Sequence, residues 1–436
     1  MWRSSRRTSQ SVGHGLAVSV LRGHRGGRMA VVGTLLVVSG LALSLGTAAD
    51  ESTRPAVKSQ SGKTKTAETK PARQKNQPQA ADWASFRNGN QQTGVATSSL
   101  PEKLSLQWKI TSQDGFVAAV AIVGDKVYAG TLSGDLLCLE LASGKTVWKY
   151  RSIDNPDPKE FAPGLKAAPR VTHSMVFVGD EDGVFHAVDR FTGKRKWKLQ
   201  TDAEIAGCAA VVGNHVIIGS HDSFLYCLDH DTGDVVWKFQ TDDRINCSPA
   251  IAGKYTFVAG CDEHLRVINI ETGKQRSDIP LDTYLIASPA VSGNMLYVGT
   301  YAAEVVAINW KDEEVKWKYK DPKREFPYHA SAAVNDGLVI VGGQDKQLHC
   351  VRRDTGQGVW SFPTRAQINS SPVIVGDRVF VGSNDGNIYG VRISDGKLSW
   401  KYNVGKDISA SPAVGRGRLV IGAEGQDGAL YCFGAK

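Results

Sequence analysis

A glycine followed four residues later by a tryptophan recurs along this chain, and no other feature restricts the fold as strongly. The pairs are Gly144/Trp148, Gly193/Trp197, Gly233/Trp237, Gly356/Trp360 and Gly396/Trp400, with Trp317 in place but without its glycine. Tryptophans 108, 148, 197 and 237 stand 40, 49 and 40 residues apart; the next interval is 80, and intervals of 43 and 40 follow. The interval of 80 is two periods with one tryptophan missing, because Ser277 stands four residues after Gly273. A period near 40 residues with this marker predicts a propeller, and it replaces the two or three domains that 436 residues would otherwise imply.

Each unit reads as four short strands. In the third, residues 208–212 are small and apolar, HVIIG (215–219) and FLYCL (224–228) follow with a polar turn between them, and VVWKFQ (235–240) is the last strand. The Asp before x-Thr-Gly in the turn at 229–233 accepts hydrogen bonds from the turn amides, while the glycine supplies positive φ. The tryptophan then lies on the outer strand, where its ring packs between neighbouring blades and its N–H reaches a carbonyl, a structural role. Units begin near Ala118, Ala167, Gly207, Cys247, Ala287, His329, Ser370 and Ala410, and the last supplies only three strands. LSLQWKI (104–110) supplies the fourth, so the expected fold is an all-β, eight-bladed β-propeller of four-stranded antiparallel blades closed by an N-terminal strand. Residues 83–94 lead into that strand.

The net charge of +8 suggests nucleic acid until it is divided along the chain. Residues 1–28 hold six Arg and no acid, and residues 50–82 hold seven Lys/Arg against four Asp/Glu. That leaves 39 basic and 40 acidic residues for 83–436, so the folded part lacks a phosphate-binding surface and nucleic acid is not a partner. The uncharged, mostly apolar run 29–49 behind the arginines reads as a signal peptide or a signal-anchor helix, with small residues at 47–49 suited to cleavage and length enough to span a bilayer. Everything after it is expected in the periplasm or another extracytoplasmic space, held to the membrane by 29–49 or released near Ala49. Residues 50–82, with Val57 the one hydrophobic side chain larger than Ala, form a disordered tether. The domains are thus a basic cytoplasmic segment (1–28), the apolar segment (29–49), the tether (50–82) and the propeller (83–436).

These repeats resemble the PQQ-like repeat family of eight-bladed propellers. That family includes quinoprotein dehydrogenases, which hold pyrroloquinoline quinone and calcium on the channel axis, and the non-catalytic outer-membrane assembly factor BamB. For an enzyme, the resemblance implies a Glu/Asn/Asp set for calcium, a Trp stacked on the quinone and a disulfide between adjacent cysteines. The chain has no Cys-Cys pair and no long inter-strand insertions. Aligning the units puts Val117, Lys166, Ala206, Asn246, Ile286, Tyr328, Asn369 and Ser409 at one level of the innermost strands, a ring without carboxylate or Trp. The reading that follows is an exported, non-catalytic, BamB-like scaffold that binds protein partners in the cell envelope, with no metal, no catalytic residues and no cofactor. The alternative is a dehydrogenase dependent on pyrroloquinoline quinone and calcium. BamB-like proteins carry a lipid-attachment Cys, which has no counterpart after residue 49 here.

Candidate partner-binding residues are Lys166, Asn246, Tyr328, His329 and Asn369 at the channel mouth. To these is added Trp310, expected to be exposed because blade four lacks its Trp and blade five, with NWKDE at 309–313, lacks its turn glycine. Of seven cysteines, Cys138, Cys227, Cys350 and Cys432 share one repeat position, a small buried slot filled elsewhere by Ala187, Ile268, Ala307 and Gly390. A Cys208–Cys247 disulfide remains open. The histidines, in different units and without metal spacing, read as turn or surface residues.

Overall fold

The computed structural model describes residues 81–155, 157 and 159–436, so the basic segment, the apolar run and nearly all of the tether lie outside it. The described residues form eight four-stranded antiparallel sheets. In blade three the order runs outward from Ala210–Val212 through His215–Gly219 and Phe224–Asp229 to Val235–Gln240. Blade eight is completed by Ser105–Thr111, which pairs antiparallel with Ala429–Gly434 and places Trp108 opposite Cys432. The ring therefore closes with an N-terminal strand on its last blade, as the repeat count requires. No helix among the described residues is long and apolar enough to cross a membrane.

The Gly/Trp marker is a contact between blades. Gly233, at φ +79°, lies beneath the Trp197 ring of the preceding blade, and a Cβ on it would come within 2.5 Å of that ring. The Trp197 indole N–H donates to His230 O of the same turn at 3.1 Å. The contact repeats with Trp108 on Leu141 O, Trp148 on Arg190 O, Trp237 on Ile270 O, Trp317 on Arg353 O and Trp360 on Ile393 O. Glycine is needed there twice over, for positive φ and for the ring's approach. Across the blade, the shared cysteine slot faces the Trp: Cys138 pairs with Trp148, Cys227 with Trp237 and Cys350 with Trp360. In blade four the residue in register with Ser277 is Val267, one before the expected Ile268. All seven cysteines are free, so the open Cys208–Cys247 disulfide is absent.

Between blades four and five the contact is rebuilt. Ser277 Oγ donates to Glu313 at 2.6 Å, and Arg276 donates to Trp310 O at 3.2 Å, where the other blades use an indole. The Trp310 side chain turns inward onto Phe257 and Tyr255, with ring centroids at 5.1 and 5.7 Å. It is 5% exposed, so the expected exposed anchor is a core residue filling the space left by the missing blade-four Trp.

Residues 81–98 do more than lead into the closing strand. They pass around the axis on one face and pair with the innermost strands. Ile122, Val171, Ile251, Val291, Val334, Ile374 and Arg416 donate their N–H groups to the carbonyls of Trp83, Ala84, Asn90, Gln91, Thr93, Gly94 and Ala81. In blade three, Val211 O accepts from the Asn90 side chain. This plug occupies the free edge that each innermost strand would otherwise present.

Candidate functional site

Opposite the plug, the channel opens through the connections that carry each outer strand to the next innermost strand. Its wall has two levels set by the repeat. The outer level is Val117, Lys166, Ala206, Asn246, Ile286, His329 and Asn369; the inner is Ala119, Ala168, Cys208, Ser248, Ser288, Ser331, Ser371 and Ser411, with the Phe86 ring as floor. They enclose about 190 Å³. Ser409, at the repeat position of the outer level, bonds the Glu424 carboxyl, whose pKa is raised by burial.

Four of the six candidate residues, Lys166, Asn246, His329 and Asn369, share this wall. Tyr328 does not. It is 2% exposed and packs against Gly299, the role Ile205, Ile245 and Ile368 play in other blades. The connection before blade six is three residues longer than the period, which shifts the register by one and hands the channel position to His329. Trp310 lies in the blade core, away from the mouth.

The mouth is chemically lopsided. On one side the Lys166 ammonium lies 2.7 Å from Glu181 and 3.4 Å from Glu204. The Glu181 bond raises the Lys166 pKa; burial pushes Glu181 up, but Lys166 and the Gly164 N–H outweigh it and hold the carboxyl low. Asn246 donates to Cys261 Sγ at 2.8 Å. On the other side Tyr284, Tyr301 and Phe326 are exposed, Tyr301 stacks on His329 at 6.0 Å, and Gln344 bonds His329 Nδ1 at 2.6 Å. His329 Nε2 is buried without a hydrogen-bond partner among the described residues, and burial lowers the pKa of the ring.

Two histidines expected in turns or at the surface are fully buried. His186 bridges Tyr150 OH and Asp180 at 2.9 Å each, and His349 bridges Tyr319 OH and Asp345 at 3.1 and 3.0 Å. Asp321, Asp345 and His349 are close enough to share a cation, yet both ring nitrogens of His349 are already engaged. With the same relay in blade two, the cluster reads as a buried hydrogen-bond network. Period alone gave no signal for it.

A calcium ion bound to a quinone needs six to eight oxygens, several of them charged, and a slot for a fused ring system. Neither level of the wall holds a carboxylate; at the rim Glu181 and Glu204 are taken by Lys166, and the Glu424 carboxyl bonds Ser409 and is pushed by burial towards its neutral form. The enclosed volume falls below the 300–1,000 Å³ usual for such ligands. The residues present do not fit that cofactor.

Similarity searches agree with the architecture. Residues 102–221 match the family profile of outer membrane protein assembly factor BamB. Among curated proteins, quinohemoprotein alcohol dehydrogenase ADH IIB of Pseudomonas putida is 33% identical over 107 residues, 23% of this chain and 15% of that protein. BamB of Xanthomonas campestris is 29% identical over 86 residues, 20% of this chain and 21% of that protein. The matches thus span about a fifth or less of those relatives. Among solved structures, BamB from Moraxella catarrhalis aligns with a TM-score of 0.64 at 19% identity, over 77% of this chain and 98% of that one. The quinohemoprotein alcohol dehydrogenase of Comamonas testosteroni aligns at 0.69 with 13% identity, over 82% and 81%. These likenesses show the fold. Residues 164–436 match the family described as the beta-propeller of beta-alanine-activating enzyme, and the chain belongs to that family, with the architecture of the PQQ-like repeat propellers.

Proposed function

We propose that this chain is an exported, non-catalytic propeller that binds a protein partner across its mouth face, in the manner of an envelope assembly factor. One observation carries the reading. The two connections that exceed the 40-residue period have nearly the same sequence, DPKEFAP at 157–163 and DPKREFP at 321–327. They enter blades two and six, opposite each other in a ring of eight. Each presents a phenylalanine to solvent, Phe161 at 75% and Phe326 at 49% exposure. A single exposed aromatic needs no explanation, but a phenylalanine exposed on both of two near-identical connections supplies paired contact points of the kind enriched at protein interfaces. The relatives named for outer-membrane protein assembly and the apolar run at 29–49 favour an envelope location.

A photo-crosslinking residue placed at Phe161 or Phe326 in cells is expected to give one discrete protein adduct, absent when the same residue replaces Val236 on the outer rim. The reading fails if no adduct forms or if the rim gives the same one.

A further inference from the structure

The inner level of the channel wall contains a chain of hydrogen bonds. The N–H of Cys208 donates to Ser248 Oγ at 2.9 Å, that of Ser248 to Ser288 at 2.9 Å, that of Ser288 to Ser331 at 3.0 Å, that of Ser331 to Ser371 at 2.9 Å and that of Ser371 to Ser411 at 2.9 Å. Each hydroxyl oxygen is thereby used as an acceptor, yet none of the five hydroxyl protons has an acceptor among the described residues. All five side chains are more than nine-tenths buried and line the same cavity. A buried donor left unmade costs about 1–3 kcal/mol, so five on one wall call for an occupant rich in acceptors. Water can accept from these hydroxyls and competes for the space, but an oxyanion brings more acceptor lone pairs and no protons of its own.

Among the described residues no carboxylate lines the cavity itself; at its rim Lys166 is paired with Glu181 and Glu204, so the unpaired positive charge lies at the other end. Beneath the floor, the Arg87 guanidinium is 1% exposed and lies 6.0 Å from the centroid of the Phe86 ring. It bonds Ala332 O and Pro372 O, the carbonyls one residue beyond Ser331 and Ser371. No carboxylate pairs with it among the described residues, and burial draws its pKa down to about 9. A buried cation without a counter-charge is costly, and an anion on the axis would offset that cost.

We propose that the axial cavity is an oxyanion site, in which the hydroxyls of Ser248, Ser288, Ser331, Ser371 and Ser411 donate to a small inorganic oxyanion or a carboxylate entering from the mouth. The space equals about six waters at ~30 Å³ each, enough for a tetrahedral ion with part of its hydration. The site does not depend on the protein-binding reading.

Thermal melting of the full chain with inorganic phosphate, selenate or acetate, against chloride at matched ionic strength, tests the proposal. A saturable rise in Tm with at least one oxyanion is expected, as mass action requires, and is expected to vanish in Ser331→Ala/Ser371→Ala. Phosphate and selenate acting without acetate would identify an inorganic ion; acetate acting alone would identify a carboxylate group. No rise beyond chloride, or an equal rise in the variant, overturns the site. Crystals of the unaltered chain grown with selenate give a reading independent of the variant: an anomalous selenium peak within the serine belt supports the proposal, and ordered waters alone overturn it.

Discussion

Gly233 and Gly213 both have positive φ, but only the first lies under a neighbouring tryptophan. Gly213→Ala meets open space and is expected to cost about 1 kcal/mol for the backbone alone. Gly233→Ala must also displace Trp197, and about 1–3 kcal/mol is expected from overpacking on top of that strain. Urea denaturation of both variants gives the difference, and equal losses would mean that the inter-blade contact contributes little. The buried thiols allow a second test. Burial raises Cys138 from 9.0 to about 11, and Cys227, Cys350 and Cys432 to about 12. A raised folded-state pKa stabilises fully below the unfolded value and is lost as pH climbs towards the folded one. Replacing these four by Ala, which sister blades already carry at 187 and 307, is expected to flatten the fall in Tm between about pH 8 and about pH 10.5. An unchanged slope would show that the thiols do not govern alkaline loss.

At the scale of elements, the weak joint and the plug make separate claims. Trp310 fills the space beside Ser277, so Trp310→Ala is expected to cost about 3–5 kcal/mol, as for other buried large aromatics. A loss under about 1 kcal/mol would restore the surface-anchor reading that the sequence suggested. That reading erred because a departure from the repeat marks a change without saying which way the side chain turns. Tyr328 went astray similarly: a three-residue insertion moves the channel position to His329, and residue spacing within one unit does not locate where the extra residues fall. The plug was less legible still. Residues 81–98 lie outside the period and act largely through backbone carbonyls, which leave no side-chain pattern. The serine level, by contrast, is written in the recurring Ser-Pro and Ser-Ala steps at 248, 288, 331, 371 and 411. Its meaning emerges only when those serines converge on one axis. Because the plug pairs the innermost strands, hydrogen exchange at Ile251, Val291, Val334 and Ile374 is expected to be as slow as in the blade centres. Exchange at the rate of exposed edges would contradict that pairing.

For the whole molecule, blade number, strand order and closure were all legible, because one contact between a Gly turn and a preceding Trp is repeated around the ring. Function was less so, since the same ring serves proteins named as dehydrogenases and as assembly factors, and only wall chemistry separates them. In this chain the polar groups of the wall are serines, amides, a histidine and a lysine among small and aliphatic residues, and Tyr284, Tyr301 and Phe326 are exposed at the mouth. The most direct measurement is therefore reconstitution of the full chain with pyrroloquinoline quinone and calcium, followed by quinone quantification after desalting and a dye-linked assay on alcohols and aldose sugars. The account predicts no stoichiometric retention and no turnover above the rate of free quinone; one quinone retained per chain with turnover of any of these substrates would contradict it.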